Sequence, residues 1–497
     1  IPQAGGSLKI GMLSSLSIDV LGLSTATNLP IHDVYRGLLQ RDEQYKATTD
    51  IAKTYEVNEE LKTITVSLDE SVKWHDGTPV TALDVLFTYA TYANPYYYGM
   101  WKEGIEALDG VSSLRSFKNE SISGIQVDEA TKKITFQLNQ ITTEVEDLLT
   151  APLLPQHQLQ GKTLEEITTL AEEGKIIGNG SYEIKEASAE HVAFSKVDGT
   201  KALLDEIIFM TIQEESITEK LKNKEIDILQ ASPQAVSDVN SSENKEWSVV
   251  EAHGLGYHYV GMNNQNPLFK DVRIRQAIDL LVNKSEYIEH VLSGYGEVAL
   301  SPIPSGNWAF AEGLKESEHS VEKAKALFTE ANWDMNKEIS IRYIKDHPLW
   351  ETSASFVEQQ LTQAGLKVKL EGMSQEELAP YLFSGKPYDL FLYSWKDETD
   401  LSYLQQQWMA SGIDQGYNVV GFSNATADQS LIGAHSTLNE NSRKEAYVMW
   451  QKTFSEEKPV VLLARPSQLY IVSDEVKDVS MKNSRPFLHI DKWWKKQ

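Results

Sequence analysis

The stretch from Val72 to Tyr89, which reads VKWHDGTPVTALDVLFTY, holds the pattern that decides the fold of this chain. Just before it, from Thr63 to Leu68, apolar residues alternate with threonine and serine, as in a strand with one buried face. The Asp-Gly pair at 76–77 favours a turn. Thr81 and Asp84 have the spacing of a capping box at the start of a helix. We therefore predict a strand, a tight turn and a capped helix, in this order.

Two stretches share one hairpin pattern, VNEELKTITVSL at 57–68 and VDEATKKITFQL at 127–138. Both place a polar turn before a strand with alternating apolar residues, so we expect them in one antiparallel sheet. Between them, ANPYYYGMWKEG at 93–104 is a dense aromatic cluster, whose rings either pack a core or line a pocket. The stretch from Ile31 to Leu39 is predicted to be a helix.

The composition excludes several classes of partner and chemistry. The chain has 497 residues, enough for two or three domains, and carries 46 basic against 72 acidic side chains. The resulting formal charge of −26 repels nucleic acid and anionic lipid surfaces at long range, so nucleic acid is not expected as a partner. The absence of cysteine excludes disulfides, thiolate catalysis and cysteine-ligated metal centres.

The apolar runs of the chain are short. None approaches the roughly 18 residues that would span a bilayer, and no signal-peptide pattern opens the sequence. The chain starts at Ile1 without a methionine, from which we expect a mature or trimmed form.

The identities in VKWHDGTPVTALDV resemble the signature of the family-5 extracellular solute-binding proteins, the peptide and nickel receptors of ABC importers. A second stretch, YHYVGMNNQNPLFKDVRIRQAIDLLVNK at 257–284, resembles the same family. Further similar segments follow in the family's order, ending with KPVVLLARPSQLYIVS at 458–473. The resemblance therefore covers nearly the entire chain.

The resemblance implies an α/β fold like that of type II periplasmic binding proteins, with two lobes, an additional domain and a hinged cleft. Domain I would be discontinuous, at 1–45, 170–262 and 466–497. Domain II would occupy 46–169 and domain III 263–465. The crossings near Met262 and Arg465 would form the hinge, whose closure would bury a ligand between domains I and III.

The implied function is that of a receptor, not an enzyme. It would capture short peptides in extended form and deliver them to a membrane permease, as a monomer and without a cofactor. The family implies a place outside the cytoplasmic membrane. We expect either a lipid anchor on a Gram-positive cell, through a cysteine that this sequence does not contain, or a periplasmic location.

The resemblance also points to ligand-binding residues. In the peptide receptors, an acid two or three residues after the tryptophan of YDLFLYSW pairs with the α-ammonium of the peptide. Trp395 is itself a predicted ligand contact. Asp397, two residues after it, fits the position of the acid, and Asp400 is the alternative because Leu401 replaces the family's proline. Further predicted contacts are the aromatic residues Tyr98 and Trp101, and Asn263 beside the hinge. The basic residues His347 and Arg465 would face the peptide C-terminus, and Gly22 and Leu23 complete the predicted set.

Three other functions stay open at this point. The chain contains no HExxH, EF-hand, P-loop or nucleophile-elbow pattern that would indicate an enzyme, and His253 and His258 lie at a spacing that puts them on opposite faces of a strand. A nickel or metallophore receptor would carry an arginine just before Trp101 and another near APLLPQHQL, and both are absent. An oligosaccharide receptor could use some of the 11 Trp and 21 Tyr as stacking platforms.

Overall fold

The computed structural model of this chain describes residues 1–24, 29–111, 122–243, 246–254, 256–396 and 401–496. The chain forms two compact units, one made of Ile1–Ala252 with Gln468–Gln497 and the other of His253–Ser467. It passes between them twice, and the second crossing falls inside the strand Val460–Ser473. The division into three domains stays a prediction.

The strands of the described residues are numbered here in chain order. They are β1 Ser7–Met12, β2 Leu39–Arg41, β3 Ala47–Thr49, β4 Ala52–Asn58, β5 Thr63–Leu68, β6 Ile125–Asp128, β7 Lys133–Gln137, β8 Tyr182–Ala187, β9 His191–Lys196, β10 Glu206–Thr211, β11 Ile228–Ala231, β12 Trp247–His253, β13 Tyr257–Met262, β14 Gly296–Val298, β15 Glu338–Ile344, β16 Lys367–Met373, β17 Leu390–Trp395, β18 Val460–Ser473, β19 Val476–Lys477 and β20 Trp494–Lys495.

The α-helices of the described residues are Ala82–Tyr92, Lys102–Glu106, Glu144–Leu148, Gln156–Leu159, Leu164–Glu172, Ile217–Lys222, Pro233–Asn240, Val272–Leu281, Lys284–Val291, Val321–Glu330, Pro348–Gln363, Gln375–Phe383, Tyr403–Trp408, Ser411–Asp414, Ala425–His435 and Glu440–Glu457. Short 3-10 turns occur at Ile31–Asp33, Glu214–Ser216 and Ile490–Lys492. Within the parts of the chain that the structure describes, no helix has the length and apolar character that crossing a membrane requires.

The first unit is built mainly on two sheets, beside the two-stranded pairs β2–β3 and β19–β20. In the larger sheet the strand order is β18–β11–β1–β10–β9–β8, in which β1 runs parallel to β10 and β11. The smaller sheet has the order β4–β5–β7–β6 and is antiparallel throughout. Its two outer pairs are the two predicted hairpins, so their expected place in one antiparallel sheet is confirmed.

The stretch around Val72–Tyr89 also folds as predicted. The strand β5 precedes it, and the helix begins at Ala82 with Thr81 as its N-cap. Asp84 Oδ2 accepts hydrogen bonds from the Thr81 N–H at 2.9 Å and from Trp74 Nε1 at 3.1 Å. Asp84, the acid of the capping box, therefore also holds Trp74 in place, within the segment KWHDGT at 73–78.

The histidine of the same segment fastens it to a glycine-rich loop. His75 Nδ1 accepts from the Gly178 N–H at 3.1 Å, and its Nε2 lies 3.2 Å from the Gly180 carbonyl oxygen. Burial lowers the pKa of His75, although the hydrogen bond to Gly180 opposes this shift. A Cβ on Gly178 would lie 2.1 Å from the Val34 carbonyl oxygen, so this close approach requires glycine.

The predicted helix from Ile31 to Leu39 is wrong. The structure has only a 3-10 turn there, and residues 39–41 form β2. Gly37 explains the difference, because its backbone pairs with Pro152 and an added Cβ would lie 2.4 Å from the Ala151 carbonyl oxygen. Packing against this segment decides the conformation over the local helical pattern.

The second unit has its own sheet, with the strand order β16–β15–β17–β13–β18 and with β14 paired to β18. The strand β15 is parallel to both of its neighbours, whereas β13 is antiparallel to β17 and to β18. Every residue of β13 is buried, so this strand lies in the middle of the unit's core. In the stretch 257–284, which resembles the family, β13 ends at Met262 and a helix with Val272 and Ala277 follows.

Candidate functional site

One face of the strand pair β13 and β17 is aromatic. Residues two apart on a strand share a face, and here the register places aromatic side chains opposite each other, Tyr257 with Trp395 and Tyr259 with Tyr393. The ring centroids of Tyr257 and Tyr259 lie 5.5 Å apart. This face of the second unit therefore offers a continuous aromatic surface.

A glycine makes the packing of this face possible. Gly261 lies opposite Phe391, and a Cβ built on it would lie 2.2 Å from two atoms of the Phe391 ring. The ring therefore covers the backbone of β13 directly. Phe391 in turn meets Tyr259 edge to face, with ring centroids 5.6 Å apart.

An open pocket of about 390 Å³ lies on this face. Two helix ends and one loop surround the strand residues. The lining consists of Tyr259, Tyr393 and Trp395 from the strands, Leu382 and Phe383 from the end of the helix Gln375–Phe383, Gln407 and Trp408 from the end of the helix Tyr403–Trp408, and the loop residues Tyr417, Val419 and Val420. Apolar and aromatic walls with a few polar groups are typical of small-ligand sites.

Three polar atoms of the lining have no hydrogen-bond partner among the described residues. They are Trp395 Nε1, Trp408 Nε1 and Gln407 Oε1, and all three are buried. The Gln407 side chain also donates through Nε2 to the Tyr257 hydroxyl at 3.4 Å. Leaving a buried polar group unpaired is costly, and a ligand that reaches these atoms would bring both an acceptor and a donor.

Two tyrosines beside the pocket are held neutral. Burial raises the pKa of Tyr259 and of Tyr388 above the ordinary value for a phenol. The Tyr388 hydroxyl donates to the Val419 carbonyl oxygen at 2.6 Å, which fixes the loop that closes one side of the pocket.

The structure brings two of the predicted ligand residues to this aromatic face. Trp395 lines the pocket and stacks on Tyr403, with ring centroids 6.2 Å apart. Arg465 is 2% exposed and its guanidinium lies 5.3 Å from the centre of the Tyr257 ring, while Nη2 donates to the Ser301 carbonyl oxygen at 2.6 Å. Arg465 is thus a buried cation of the second unit.

Two other predicted positions, Asn263 and His347, do not join them. Asp397 and Asp400 lie outside the described residues. Asn263 follows the far end of β13, roughly 20 Å along the strand from Tyr257, and its Nδ2 donates to the Tyr388 carbonyl oxygen. His347 is exposed and is the N-cap residue of the helix Pro348–Gln363. Ligand contacts by these residues stay predictions.

The remaining predicted residues lie together in the first unit. Gly22 adopts a left-handed φ of +64°, and a Cβ on it would lie 2.6 Å from Met100 and 2.8 Å from Trp101. Its carbonyl oxygen accepts from the Met100 N–H at 2.8 Å. The turn at Gly22 therefore packs directly on the aromatic cluster, with Leu23 exposed beside it.

Within that cluster the two predicted aromatic contacts differ. Trp101 is 6% exposed and packs 5.1 Å from the ring of Tyr92, as a core residue does. Tyr98 is 72% exposed, and Lys102 Nζ lies 5.1 Å from its ring centre. The burial of Trp101 favours the core alternative, while its role as a ligand contact stays a prediction.

Among the described residues, no group of three or more His, Asp or Glu side chains could hold a metal ion. His258 is buried, whereas His253 is half exposed and lies 3.9 Å from Glu297.

Sequence reasoning missed Tyr259, Tyr393, Gln407 and Trp408. The period of two in FLYSW at 391–395 could have indicated that Tyr393 shares the face of Trp395. Gln407 stands in the run QQQW, where no pattern distinguishes the inward glutamine from its neighbours.

Comparison with known proteins places this geometry in a family. Residues 46–416 match the family described as bacterial extracellular solute-binding proteins, family 5 middle. The oligopeptide-binding protein AppA of Bacillus subtilis (strain 168) is 22% identical over 522 residues, which cover 99% of this chain and 92% of AppA. The structure of AppA in complex with a nonapeptide matches all of both chains with a TM-score of 0.72.

Two further solved structures share the fold at low identity. The unliganded open form of MppA, a periplasmic murein tripeptide binding protein, is 19% identical and has a TM-score of 0.84, over 100% of this chain and 98% of MppA. NikZ from Campylobacter jejuni, solved with Ni(L-His), is 20% identical with a TM-score of 0.74, over 98% of this chain and 99% of NikZ. The fold therefore does not choose between peptide and nickel ligands.

The matched residues cover most of the chain, the fold agrees over its whole length, and the predicted type II α/β fold is confirmed. This chain belongs to the bacterial extracellular solute-binding proteins of family 5.

Proposed function

We propose that this protein is the receptor of an ABC importer, and that it captures short peptides in extended form and delivers them to a membrane permease. The observation that carries this proposal is the set of unpaired polar atoms in the aromatic pocket. Two indole N–H groups and one amide oxygen complement the carbonyl and N–H of a peptide group, and the aromatic walls accept varied side chains. AppA is an oligopeptide-binding protein and MppA a murein tripeptide binding protein, which agrees with this ligand class.

An acid just beyond Trp395 would anchor the peptide's α-ammonium. Asp397 is the proposed partner, with Asp400 as the alternative. An ammonium removed from water makes its counter-ion costly to lose, about 3 to 5 kcal/mol for one member of a buried pair. That corresponds to roughly two to three and a half decades in affinity.

We test the ligand class first. Native mass spectrometry of the purified protein, before and after release of bound molecules by mild unfolding, should detect peptides of a few residues. A nickel complex or an oligosaccharide in their place would overturn the peptide proposal in favour of another receptor of the same fold.

The anchor is tested by calorimetry with the tripeptide Ala-Phe-Ala and its N-acetylated form, on the wild type and on Asp397→Asn and Asp400→Asn. Acetylation and Asp397→Asn should each weaken binding by about two decades or more, and the second change should add little once the first is made. Equal affinities in all combinations would reject Asp397 as the anchor. A loss in Asp400→Asn alone would move the role to that residue.

The pocket itself is tested with a matched pair of tryptophans. Trp395→Phe keeps an aromatic ring and removes the indole N–H, so it should weaken Ala-Phe-Ala about tenfold if that N–H donates to the peptide. Trp333→Phe is the control, because Trp333 Nε1 is also buried without a partner among the described residues but does not line the pocket. Equal effects of both substitutions would reject a direct role of Trp395.

The resemblance further supports a site of action outside the cytoplasmic membrane, with a lipidated cysteine preceding Ile1 as the proposed anchor. Mass spectrometry of the protein isolated from its own cells, searching for an N-terminal cysteine carrying diacylglycerol, tests this. An unmodified N-terminus in the soluble fraction would reject the anchor and leave the receptor function untouched.

A further inference from the structure

A second pocket of the His253–Ser467 unit is rich in lysine. It holds about 380 Å³ of empty space and shares no lining residue with the aromatic pocket. Its charged lining consists of Lys284, Lys315, Lys458 and Asp279. It thus contains three ammonium groups and one carboxylate, in a protein whose net charge is −26.

The carboxylate is already shared between two of the lysines. Lys284 Nζ lies 3.0 Å from Asp279 Oδ1, and Lys458 Nζ lies 3.5 Å from Oδ2. Asp279 and Lys284 are 3% and 4% exposed. Burial alone would raise the pKa of Asp279, but the two ammonium groups more than offset this and lower it, so the aspartate is ionised.

The third lysine has no such partner. Lys315 is exposed at the pocket, and no carboxylate of the described residues lies within ion-pair distance of it. Of the acids near this segment, Glu318 pairs with Lys323, whereas Glu316 accepts a hydrogen bond from Ser285 and its charge also acts on Lys284. The lining therefore carries an excess of about two positive charges at neutral pH, which the nearby Glu316 partly offsets.

Neutral hydrogen-bond donors complete the lining. Ser317 and Ser455 line the same pocket, and Ser317 Oγ accepts from Lys458 Nζ at 2.7 Å. The hydroxyl proton of Ser317 is directed to Asp279, because a hydrogen bond from this serine contributes to the lowered pKa of the aspartate. Ser455 and Lys315 are left to face a ligand.

We propose that this pocket binds a phosphate group. Its one to about two negative charges at neutral pH complement the excess of the pocket, and its oxygens can accept from Lys315, Lys458 and Ser455. The charge of Asp279 is offset by its ion pair with Lys284. The phosphate is either free or carried as the headgroup of a lipid, since both present the same oxygens to the lysines, and the net charge of −26, which repels anionic lipid surfaces, favours the free ion.

Calorimetry with inorganic phosphate on the full chain tests this proposal. The wild type should bind one phosphate saturably, and Lys315→Gln should bind it about tenfold more weakly, the loss expected for one charge-assisted hydrogen bond. Lys315 is exposed and lacks an ion pair, so this substitution leaves the fold intact. Lys325→Gln is the matched control, because Lys325 is an exposed lysine of the same unit that does not line the pocket.

Absence of saturable binding by the wild type, or an equal loss in Lys325→Gln and Lys315→Gln, would overturn the proposal. Sedimentation with vesicles of phosphatidic acid, against vesicles of phosphatidylcholine, then separates the two sources. Pelleting of the wild type but not of Lys315→Gln by phosphatidic acid assigns the lipid headgroup, and binding of free phosphate alone assigns the soluble ion. Affinity for Ala-Phe-Ala should be the same in Lys315→Gln as in the wild type, so this result is independent of the proposed function.

Discussion

His258 is the clearest case of a single residue whose chemistry is set by its surroundings. It is 5% exposed, its Nδ1 lies 2.9 Å from the Tyr287 hydroxyl, and its ring packs 4.8 Å from that of Trp350. Tyr287 is in turn 2.9 Å from Ser353 Oγ, which donates to a helix carbonyl oxygen. Because the serine proton is used, Tyr287 donates to Ser353 and the histidine Nδ1–H donates to Tyr287.

This burial makes His258 a source of pH dependence. Burial lowers its pKa to about 4, below the value of about 6.5 for the unfolded chain. Between these values the unfolded chain binds more protons than the folded one, so the free energy of unfolding falls as the pH falls. His258→Asn keeps a donor toward Tyr287 but does not titrate. Between pH 6.5 and pH 5 we expect the free energy of unfolding of this variant to fall by roughly 2 kcal/mol less than that of the wild type.

The measurement is urea unfolding of wild type and variant at several pH values. The exposed His253→Asn serves as control and should leave the pH dependence unchanged. Identical slopes for the wild type and His258→Asn between pH 6.5 and pH 5 would show that folding does not shift the pKa of this histidine.

At the scale of elements, the KWHDGT segment is held by a single carboxylate. Asp84 is 4% exposed, and besides the bonds from Thr81 and Trp74 its Oδ1 accepts from the Gln156 N–H at 2.9 Å. Three donors from three parts of the chain thus depend on one side chain. Two of them, the Trp74 indole and the backbone at Gln156, lie outside the helix that Asp84 caps.

Asp84→Ala should therefore destabilise the protein far more than the loss of a cap does. A lost cap costs about 1 kcal/mol, whereas buried donors left unpaired cost about 1 to 3 kcal/mol each, so we expect about 4 kcal/mol in denaturant unfolding. The control is Asp128→Ala, an exposed aspartate that accepts from two backbone N–H groups of a hairpin turn. Its effect should be much smaller, and similar effects at both positions would reject the network.

The sequence predicts elements well where local chemistry and packing agree. The capping box at Thr81 and the two hairpins are local, and each appears as expected. The segment from Ile31 to Leu39 fails because the close approach at Gly37 comes from residues more than 100 positions away. The pocket shows the same limit, since Trp395 could be chosen from the family pattern, whereas Gln407 reaches the pocket through the packing of the helix Tyr403–Trp408, which no sequence pattern predicts.

At the scale of the whole molecule, the second unit is one continuous segment with its own core. Its buried hydrophobic cluster runs from Tyr257 to Ala464 and includes four of the six residues of β13. The strand β13 pairs with β17 on one side and β18 on the other. Removing β13 would therefore separate the two halves of this sheet.

Two fragments test this arrangement. We expect residues 253–467 expressed alone to fold, with a cooperative thermal transition and near-ultraviolet circular dichroism. The fragment 263–465, which follows the predicted bounds of domain III, lacks β13 and should stay unfolded. Folding of both fragments would support the predicted domain III, and failure of the longer one would show that its core is insufficient.

The net charge of −26 is a property of the whole molecule that bears on how it meets a ligand. If peptides are its ligands, this charge attracts cationic peptides and repels anionic ones over the Debye length, which is about 30 Å at 0.01 M salt and about 3 Å at 1 M. Stopped-flow measurement of Trp fluorescence should show Lys-Phe-Lys associating about tenfold or more faster than Glu-Phe-Glu at 0.01 M salt. The two association rates should converge at 1 M salt, because screening removes the long-range attraction and repulsion, while the dissociation rates change little.

Equal association rates at low salt would place the acidic surface away from the path of the ligand. A difference that persists at 1 M would assign the preference to contacts inside the pocket instead of to the field of the molecule.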